Sequence, residues 1–571
     1  MPNKIKHQYS RKSTAEVDAF TQGLRENAFN QQGTFDSAAT YDFLSNVTNQ
    51  NTGIKVPDNL QAVYDEVGEK GSDVVTRAIL DGINNYETAH GCSVPADILE
   101  QAIHAAYGTT NEARRINQLP ALDSANSNHM DELSLQPNRA VVAILSIMAE
   151  AIPFAHYLPA DIGSNEARLA IMQHQAGSTY GGYLENAILD GIASGEVFIT
   201  SSRIHKLDIN SQGAATAKLT TIQTDDEHCD QSDTAVAPKL LRGTTIVYVN
   251  GKVAAREVDN TGSGNSPISG TAIVAGTSYA ISGTINSDTG VVTLATTPAI
   301  PNTSDVSVIV EGFIDYERSP ELTPRIITAV NIFKLHASPW RVFTQQTIDS
   351  RTQMSNELGL DPYGESVIGI QQQFANERHY KVLAMARRLA VNNHTQFDFN
   401  WATNNGGESL QKTRSQILQD FATPLGVADQ QMANDTMNHG ITHLYVGKFM
   451  ASMLLSMPSD IFVPSGLPAR PGIYRVGRLF GRFDVYYAPK GVKEAIVNGT
   501  QTAQVLCIGR ATDVTRNPFV LGDAVAPQVI PLAVNSDMKT GAAFYARNFT
   551  SVNPHCPSSM GCAMIDVYNL T

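Results

Sequence analysis

The 571-residue sequence predicts an α+β fold interrupted by a domain built only of strands. Three observations lead there. Apolar residues at helical spacing, Val367, Ile370, Phe374, Val382, Met385 and Leu389, form a stripe behind Pro362 that lasts about 30 residues. Between residues 241 and 317, four short alternating runs (244–248, 278–285, 291–296 and 306–310) are separated by the turn signals Asn250-Gly251, residues 261–264, Asp288-Thr289-Gly290 and Pro301-Asn302. Residues 477–489 (GRLFGRFDVYYAP) read as a turn and then a strand. In it Phe483, Val485 and Tyr487 alternate with Arg482, Asp484 and Tyr486, until Ala488 and Pro489 stop it. A chain this long exceeds one ordinary core, so two to four domains are expected.

In chain order, residues 1–56 are polar and poor in period, which predicts an extended arm with short helices. Residues 57–138 predict a helical subdomain: Val75, Ala78, Ile79, Ile83 and Tyr86 share one face, as do Ile98, Leu99, Ala102, Ile103 and Tyr107 behind Pro95. From Arg139 the composition turns apolar and strand-like, so residues 139–200 open the main domain, and SSRIHKLDI at Ser201 begins an outgoing strand arm over 201–240. Residues 241–317 follow as an inserted β-sandwich or barrel, whose stretch 244–312 is expected to bury its own core and to be removable. A returning strand arm (318–345) leads into a polar helix and the long helix, within 346–395. For the long helix Asp361 is the expected N-cap, Pro362 the first position, and Asn392 and Asn393 the stop. At ~1.5 Å per residue it makes a rod of roughly 45 Å, long enough to cross a whole domain. Glu377, Arg378, Arg387 and Arg388 fall off the stripe, for solvent or neighbouring chains.

Charged residues are only 17% of the chain, which leaves a neutral polar surface able to pack against copies of itself without stripping water from many charges. The net charge of -14 argues against a protein that grips nucleic acid, since capture of phosphates needs a basic field. Cys92, Cys229, Cys507, Cys556 and Cys562 are odd in number and lie at no metal or disulfide spacing, which suits a reducing cytoplasm. The basic start MPNKIKHQYSRKS lacks the apolar stretch of a signal peptide. The longest apolar run, residues 140–155, is broken by Glu150 and Pro153 and is too short for a bilayer, which needs about 20 apolar residues.

The strand in residues 477–489 resembles a signature strand of tailed-phage major capsid proteins. Three further stretches support the likeness by their order. IITAVNIFKLHASPWRVFTQQ, a polar helix, Leu358 to Pro362 (LGLDP) and the long helix resemble the return arm of the extended loop and the spine helix in the large-phage branch of the Hong Kong 97 capsid fold. THLYVGKFMASMLLSMPSDIFVPSG resembles the strand and helix of that family's axial domain, and LCIGRATDVTRNPF its closing strands.

The resemblance covers roughly Arg139 to the C-terminus, at the level of pattern. It implies a Hong Kong 97-type capsid fold with an N-terminal arm (1–56), a helical subdomain (57–138), a peripheral domain (139–200 and 346–395), an extended loop (201–240 and 318–345), the insert (241–317), an axial domain (396–490) and axial or peripheral closing strands (491–571). It implies a self-assembling subunit of hexamers and pentamers in an icosahedral head, made in the bacterial cytoplasm, enclosing double-stranded DNA without sequence-specific binding. Its partners would be itself, a portal, a scaffold, and possible maturation protease or decoration proteins, with no membrane. Some relatives lose an N-terminal segment of this kind on maturation.

Motifs of catalysis are not found: no Walker A sequence, G-x-S-x-G elbow, H-E-x-x-H pair, C-x-x-C pair or G-x-G-x-x-G loop. No catalytic, cofactor or metal residue is assigned, and no enzyme activity is expected. Asp225, Asp226, Glu227, His228, Cys229 and Asp230 have the chemistry for a cation, but adjacent residues of one loop rarely converge, so a solvated acidic loop is expected. His555, Cys556 and Cys562 read as a terminal segment with a buried thiol, Trp340 and Trp401 as packing anchors, and Arg325, Arg341 and Arg351 as ordinary surface charge. The N-x-S/T match at Asn393 follows from composition. Two other classes stay open: a tail sheath or tube protein or encapsulin-like shell, and, last, an adhesive or polysaccharide-degrading protein, which would want clustered surface aromatics where this chain has only 7%.

Overall fold

The computed structural model describes residues 11–28, 36–48, 54–109, 140–158, 166–258, 264–301, 305–358, 362–399, 414–497, 499–532, 534 and 536–570. They form two compact units, Met1–Ala170 with Ile332–Thr571, and Ile171–Asn331.

The first unit opens with a helical layer: α1 (Arg11–Ala28), α2 (Ser37–Thr48), α3 (Asp58–Val67), α4 (Glu69–His90), α5 (Ala96–Thr109) and α6 (residues 140–149). The faces expected on α4 and α5 are the buried ones, Tyr107 only partly. Two expectations need correction. The described part of the arm is not extended, because Val17, Phe20 and Leu24 of α1 and Phe43, Leu44 and Val47 of α2 share one core with Leu60, Ile79 and Ile103. Spacings of three and four residues make a stripe on α1 that its polar composition conceals. The apolar stretch after Arg139 is likewise helix, not strand: Ala140, Ala143, Ile144, Ile147 and Met148 fall on one face and join the same core. Gly91 ends α4 in the left-handed region, its N–H donating to Glu87 O at 2.7 Å.

After β1 (His156–Tyr157) and β2 (Glu166–Ala176), the second unit carries β3 (Ser202–Lys206), β4 (Ala214–Lys218), β5 (Ile246–Val249), β6 (Lys252–Glu257), β7 (Asn265–Val274), β8 (Thr277–Asn286), β9 (Val291–Thr297) and β10 (Val308–Phe313). These make one antiparallel sheet in the order β3-β10-β5-β6-β7-β8-β9-β4. Asn250 and Gly251, both at positive φ, form the two-residue turn that pairs Val249 with Lys252. Ala275-Gly276 makes the same kind of turn between β7 and β8, with Ala275 at φ 48°.

One face of each inner strand feeds a single core that includes Val247, Ile268, Ile281, Val292 and Val310, so the sheet curls around it. Its ends, β3 and β4, are not paired with each other; it is an open curled sheet rather than a two-sheet sandwich or a closed barrel. Residues 201–240, expected as an arm, belong to it: β3 and β4 are its edges, and Leu207, Ile209, Leu219 and Leu240 lie in its core. An alternating run announces a strand but not its partner, and pairing with β10 a hundred residues away decides the matter.

The chain passes between the units along β2 and β11 (Ile326–His336), which pair as a two-stranded ribbon. Then come β12 (Ser338–Thr347), the polar α7 (Ile348–Leu358) and the 28-residue α8 (Pro362–Leu389), which ends in a 3-10 turn over Ala390–Asn392. Asp361 and Trp401 lie outside the described residues. The remainder comprises β13 (His394–Asp398), α9 (Arg414–Asp420), α10 (Ala422–Thr436), β14 (Ile441–Val446), α11 (Lys448–Leu455), β15 (Phe462–Pro464), β16 (Tyr474–Leu479), β17 (Phe483–Tyr487), β18 (Glu494–Val497), β19 (Thr500–Gly509), β20 (Phe519–Leu532), β21 (Lys539–Val552), α12 (Cys556–Ser559) and β22 (Cys562–Tyr568).

Two sheets organise these strands, β1-β20-β21-β12 and β13-β22-β19-β14-β17-β16-β15, with β18 paired to β19. In the second, β17 is an inner strand, parallel to β14 and antiparallel to β16. Both its faces are buried: Phe483 and Val485 enter a core with Leu444, Met450 and Leu454, while Tyr486 enters another with Phe154, Val382 and Leu383 of α8. The second half of α8 is thereby sunk into the unit. Residues 365–373, ahead of the buried Phe374, are exposed or half-buried.

Candidate functional site

In the acidic loop the carboxylates close local turns. Asp225 accepts from the Glu227 N–H at 2.9 Å and lies 2.7 Å from His228 Nδ1, Glu227 pairs with Lys206 at 3.3 Å, and Asp230 accepts from the Ser232 N–H at 2.9 Å. The Cys229 thiol is buried and points to Ile204 O at 3.4 Å. Among the described residues, no three His, Cys, Asp or Glu side chains are grouped to hold a metal ion. His555 caps α12, its Nδ1 lying 2.8 Å from Ser558 Oγ. Cys556 is exposed, while Cys562 is sealed in the sheet, where burial pushes its thiol up. Asn393 is buried and donates to Ala428 O at 2.9 Å, so its glycan motif is not a surface acceptor. Arg341 lies on β12 and Arg351 on α7, whereas Arg325 precedes β11.

Arg378 corrects the expectation of a solvent-facing residue. It is fully buried on α8, its Nη2 lying 3.1 Å from Asp523 Oδ1 on β20, while its Nε donates to Thr550 Oγ1 at 3.3 Å. Its guanidinium carbon sits 5.7 Å from the centre of the Tyr157 ring. Gln101 of α5 donates to the other Asp523 oxygen at 3.4 Å. One helical turn earlier, Asp97 accepts from Arg510 at 2.8 Å and from the Tyr157 N–H at 3.0 Å, and lies 3.2 Å from His156 Nδ1. Arg510 also donates to Pro153 O and, at 3.1 Å, to Ala155 O. Burial pushes the Asp97 carboxyl up, but Arg510 and His156 outweigh it and hold the group well below the usual carboxylate range. Asp97 and Gln101, four residues apart, thus fasten one face of α5 to the sheets. The single acid in the apolar run FVLGDAVA was the available signal for Asp523, and it names no partner.

A second sealed cluster lies where α4, α8 and the β17 sheet meet. His90 Nδ1 is 3.0 Å from the Tyr486 hydroxyl and His379 Nε2 is 3.1 Å from that of Tyr445, and the two tyrosine rings stack at 5.4 Å. Burial lowers His90 to about 4 and both His379 and His443 to about 3, so all three rings are neutral near pH 7. These groups face one another rather than a cleft. Their chemistry is to hold elements together.

The surface features are apolar and extended. An open groove of about 780 Å³ lies over β12, α8 and β21, walled by Trp340, Val342, Ile370, Phe374 and Phe544. Trp340 anchors it, edge-on to Phe374 at 5.3 Å and under Lys381 Nζ at 5.1 Å. Strand β12 is a sheet edge ten residues long with Phe343 67% exposed, and β11 exposes Ile326, Val330 and Ile332. Among the described residues, no helix is long and apolar enough to cross a membrane.

No protein-family model and no curated protein matches the sequence. Solved structures similar to the chain include the capsid of the jumbo bacteriophage PhiKZ, at 11% identity and TM-score 0.35 over 72% of this chain and 91% of that one. Another is a structure from Microbacterium phage Oxtober96, at 12% identity and TM-score 0.28 over 59% of this chain and 95% of that one. A third is an encapsulin complex from Synechococcus elongatus, at 12% identity and TM-score 0.28 over 43% and 79%.

Proposed function

We propose that the chain is the major capsid protein of a tailed double-stranded DNA bacteriophage, a subunit that assembles into the hexamers and pentamers of an icosahedral head. One observation carries the reading. A two-stranded ribbon and a ten-residue sheet edge, both with uncovered apolar side chains, lead into a 28-residue helix whose residues 365–373 are exposed or half-buried. A single folded subunit leaves these surfaces unburied, and packing against copies of itself covers them.

In this reading β2 and β11 are the extended loop, α8 is the spine helix, the sheet of β1, β20, β21 and β12 belongs to the peripheral domain, and the sheet around β17 to the axial domain. The Ile171–Asn331 unit is the insert, adding contacts between subunits. Its work is association without a chemical step. Each interface of ordinary size buries ~1,600 Å², and many such contacts closed by symmetry make a durable shell. The negative chain encloses DNA by confinement rather than by gripping it. A portal, a scaffold and, where present, a maturation protease and decoration proteins are its further partners, within the host cytoplasm and then the virion.

The test is a pair of surface variants, Ile332→Asp and Phe343→Asp, followed by light scattering. The reading predicts folded subunits that no longer form large particles. Particles unchanged in size and yield in both variants would count against it.

A further inference from the structure

Charge is spread unevenly through the Ile171–Asn331 unit. Its stretch of sequence holds 17 acidic and 9 basic residues, yet the 27 residues of β7, β8 and β9 include none of either kind. Successive side chains of a strand point to opposite faces, and one face of these strands fills the core of the curled sheet. On the other face, Ser269, Ser282, Ala295 and Ala214 of β4 stand in one row across four strands, and Pro267, Thr284, Thr293 and Thr216 in the next. All eight are exposed or half-buried. Two apolar side chains extend the face: Ile273 of β7 is 76% exposed, and Val258, whose N–H donates to Pro267 O at 2.9 Å, is 65% exposed. The rest of the sheet differs, because β3, β10, β5 and β6 carry Lys206, Glu311, Lys252 and Arg256.

We infer that this uncharged half-sheet is the surface on which the inserts of two subunits meet, each covering the β7-β8-β9-β4 face of a second copy. The inference rests on the shell reading. Two copies of a unit with such an excess of acid repel one another, whereas contact through this face sets no carboxylate against another and strips water from no charge on β7, β8 or β9. The hydroxyl and methyl side chains are short, so two such faces approach closely and lose little side-chain freedom. Four strands ~4.8 Å apart and five residues long at ~3.4 Å each make a face of about 300 Å². A stable pair of proteins buries ~800 Å² on each partner, so this contact is too small to hold free subunits together. It forms where a shell already sets inserts side by side and counts once for every subunit.

The experiment places single cysteines on the full chain, Ser269→Cys, Ser282→Cys, Ala295→Cys and Ala214→Cys, treats intact particles and unassembled subunits with a short bismaleimide, and reads covalent dimers on denaturing gels. The wild type, whose Cys556 is exposed, is the control. At least one variant should give dimers well above the wild-type level in particles, and none should in unassembled subunits. A second arm puts charge at the centre of the face, Ser282→Glu with Ala295→Glu. Those particles should form but melt several degrees below wild-type ones, with unchanged circular dichroism of the subunit. Intact particles in which all four cysteine variants stay at the wild-type level would overturn the inference, and so would equal melting temperatures in the second arm. Should the double Glu variant fail to fold, the cysteine arm decides. A wild type that forms no particles at all would instead sink the shell reading, and this inference with it.

Discussion

Arg378 on α8 and Asp523 on β20 meet at 3.1 Å with their side chains 2% and 1% exposed. The pair ties the long helix to the sheet beneath it, and Gln101 brings α5 to the same point. Asp523→Ala should cost ~3–5 kcal/mol in urea unfolding, since it strands a buried guanidinium. Replacing both partners together, Arg378→Met with Asp523→Leu, should recover most of that loss. A double variant as unstable as the single one would mean that the charges themselves, not their pairing, hold α8 in place.

Phe374 is clasped between Trp340 at 5.3 Å and Phe544 at 4.9 Å. Phe374→Ala should cost about 3 kcal/mol in the same measurement, through lost burial and the cavity left behind. Phe374→Pro adds a helix breaker worth ~3 kcal/mol to the same loss and should give insoluble protein. Soluble, assembling Phe374→Pro protein would show that α8 does not run as one continuous helix through Phe374.

Acid should destabilise the subunit before its surface carboxylates titrate. His90, His379 and His443 have folded values lowered to about 4, 3 and 3, so between pH 6.5 and 4 the unfolded chain binds protons that the folded one refuses. The contribution of these three rings is fully present above pH 6.5 and falls below it. Asp97, also lowered in the fold, adds its own loss below its unfolded value near 3.8. Melting temperatures from neutral pH to about 4.5 should drop more gently in His379→Gln and His443→Gln than in the wild type, and equal slopes would remove the histidines from the account.

Residues 244–312 carry obvious strands and turns, but their removal should fail. It takes β5 to β9 and most of β10 away and leaves β3, β4, Leu207, Ile209 and Leu219 without their core. Excising residues 177–325 with a short Gly-Ser bridge removes that core whole and should leave soluble protein whose circular dichroism loses mainly β signal. The opposite pattern of solubility would restore the narrower boundary.

The difference between these two cuts shows what the sequence could tell. Residues that fold by their own neighbours were legible: the stripe of α8, the Asn250-Gly251 turn, the alternation in β17. What depends on distant pairing was not. β7 reads NSPISGTAIV, where Pro, Ser and Gly mask a strand that pairs along its whole length with β8. Arg378 looked solvent-facing because a charge off the apolar stripe of a helix usually is, and only Asp523, far along the chain, makes its burial tolerable. Both attachments of α5, Asp97 to Arg510 and Gln101 to Asp523, share this property, so the attachment of the helical layer was out of reach.

The central claim is that the exposed ribbon, the β12 edge and residues 365–373 of α8 are surfaces made for copies of the same chain. Electron micrographs of the purified, assembled protein test it most directly. The account predicts closed, roughly spherical shells of uniform size. Helical tubes, or dispersed monomers at concentrations where a shell protein assembles, would contradict it.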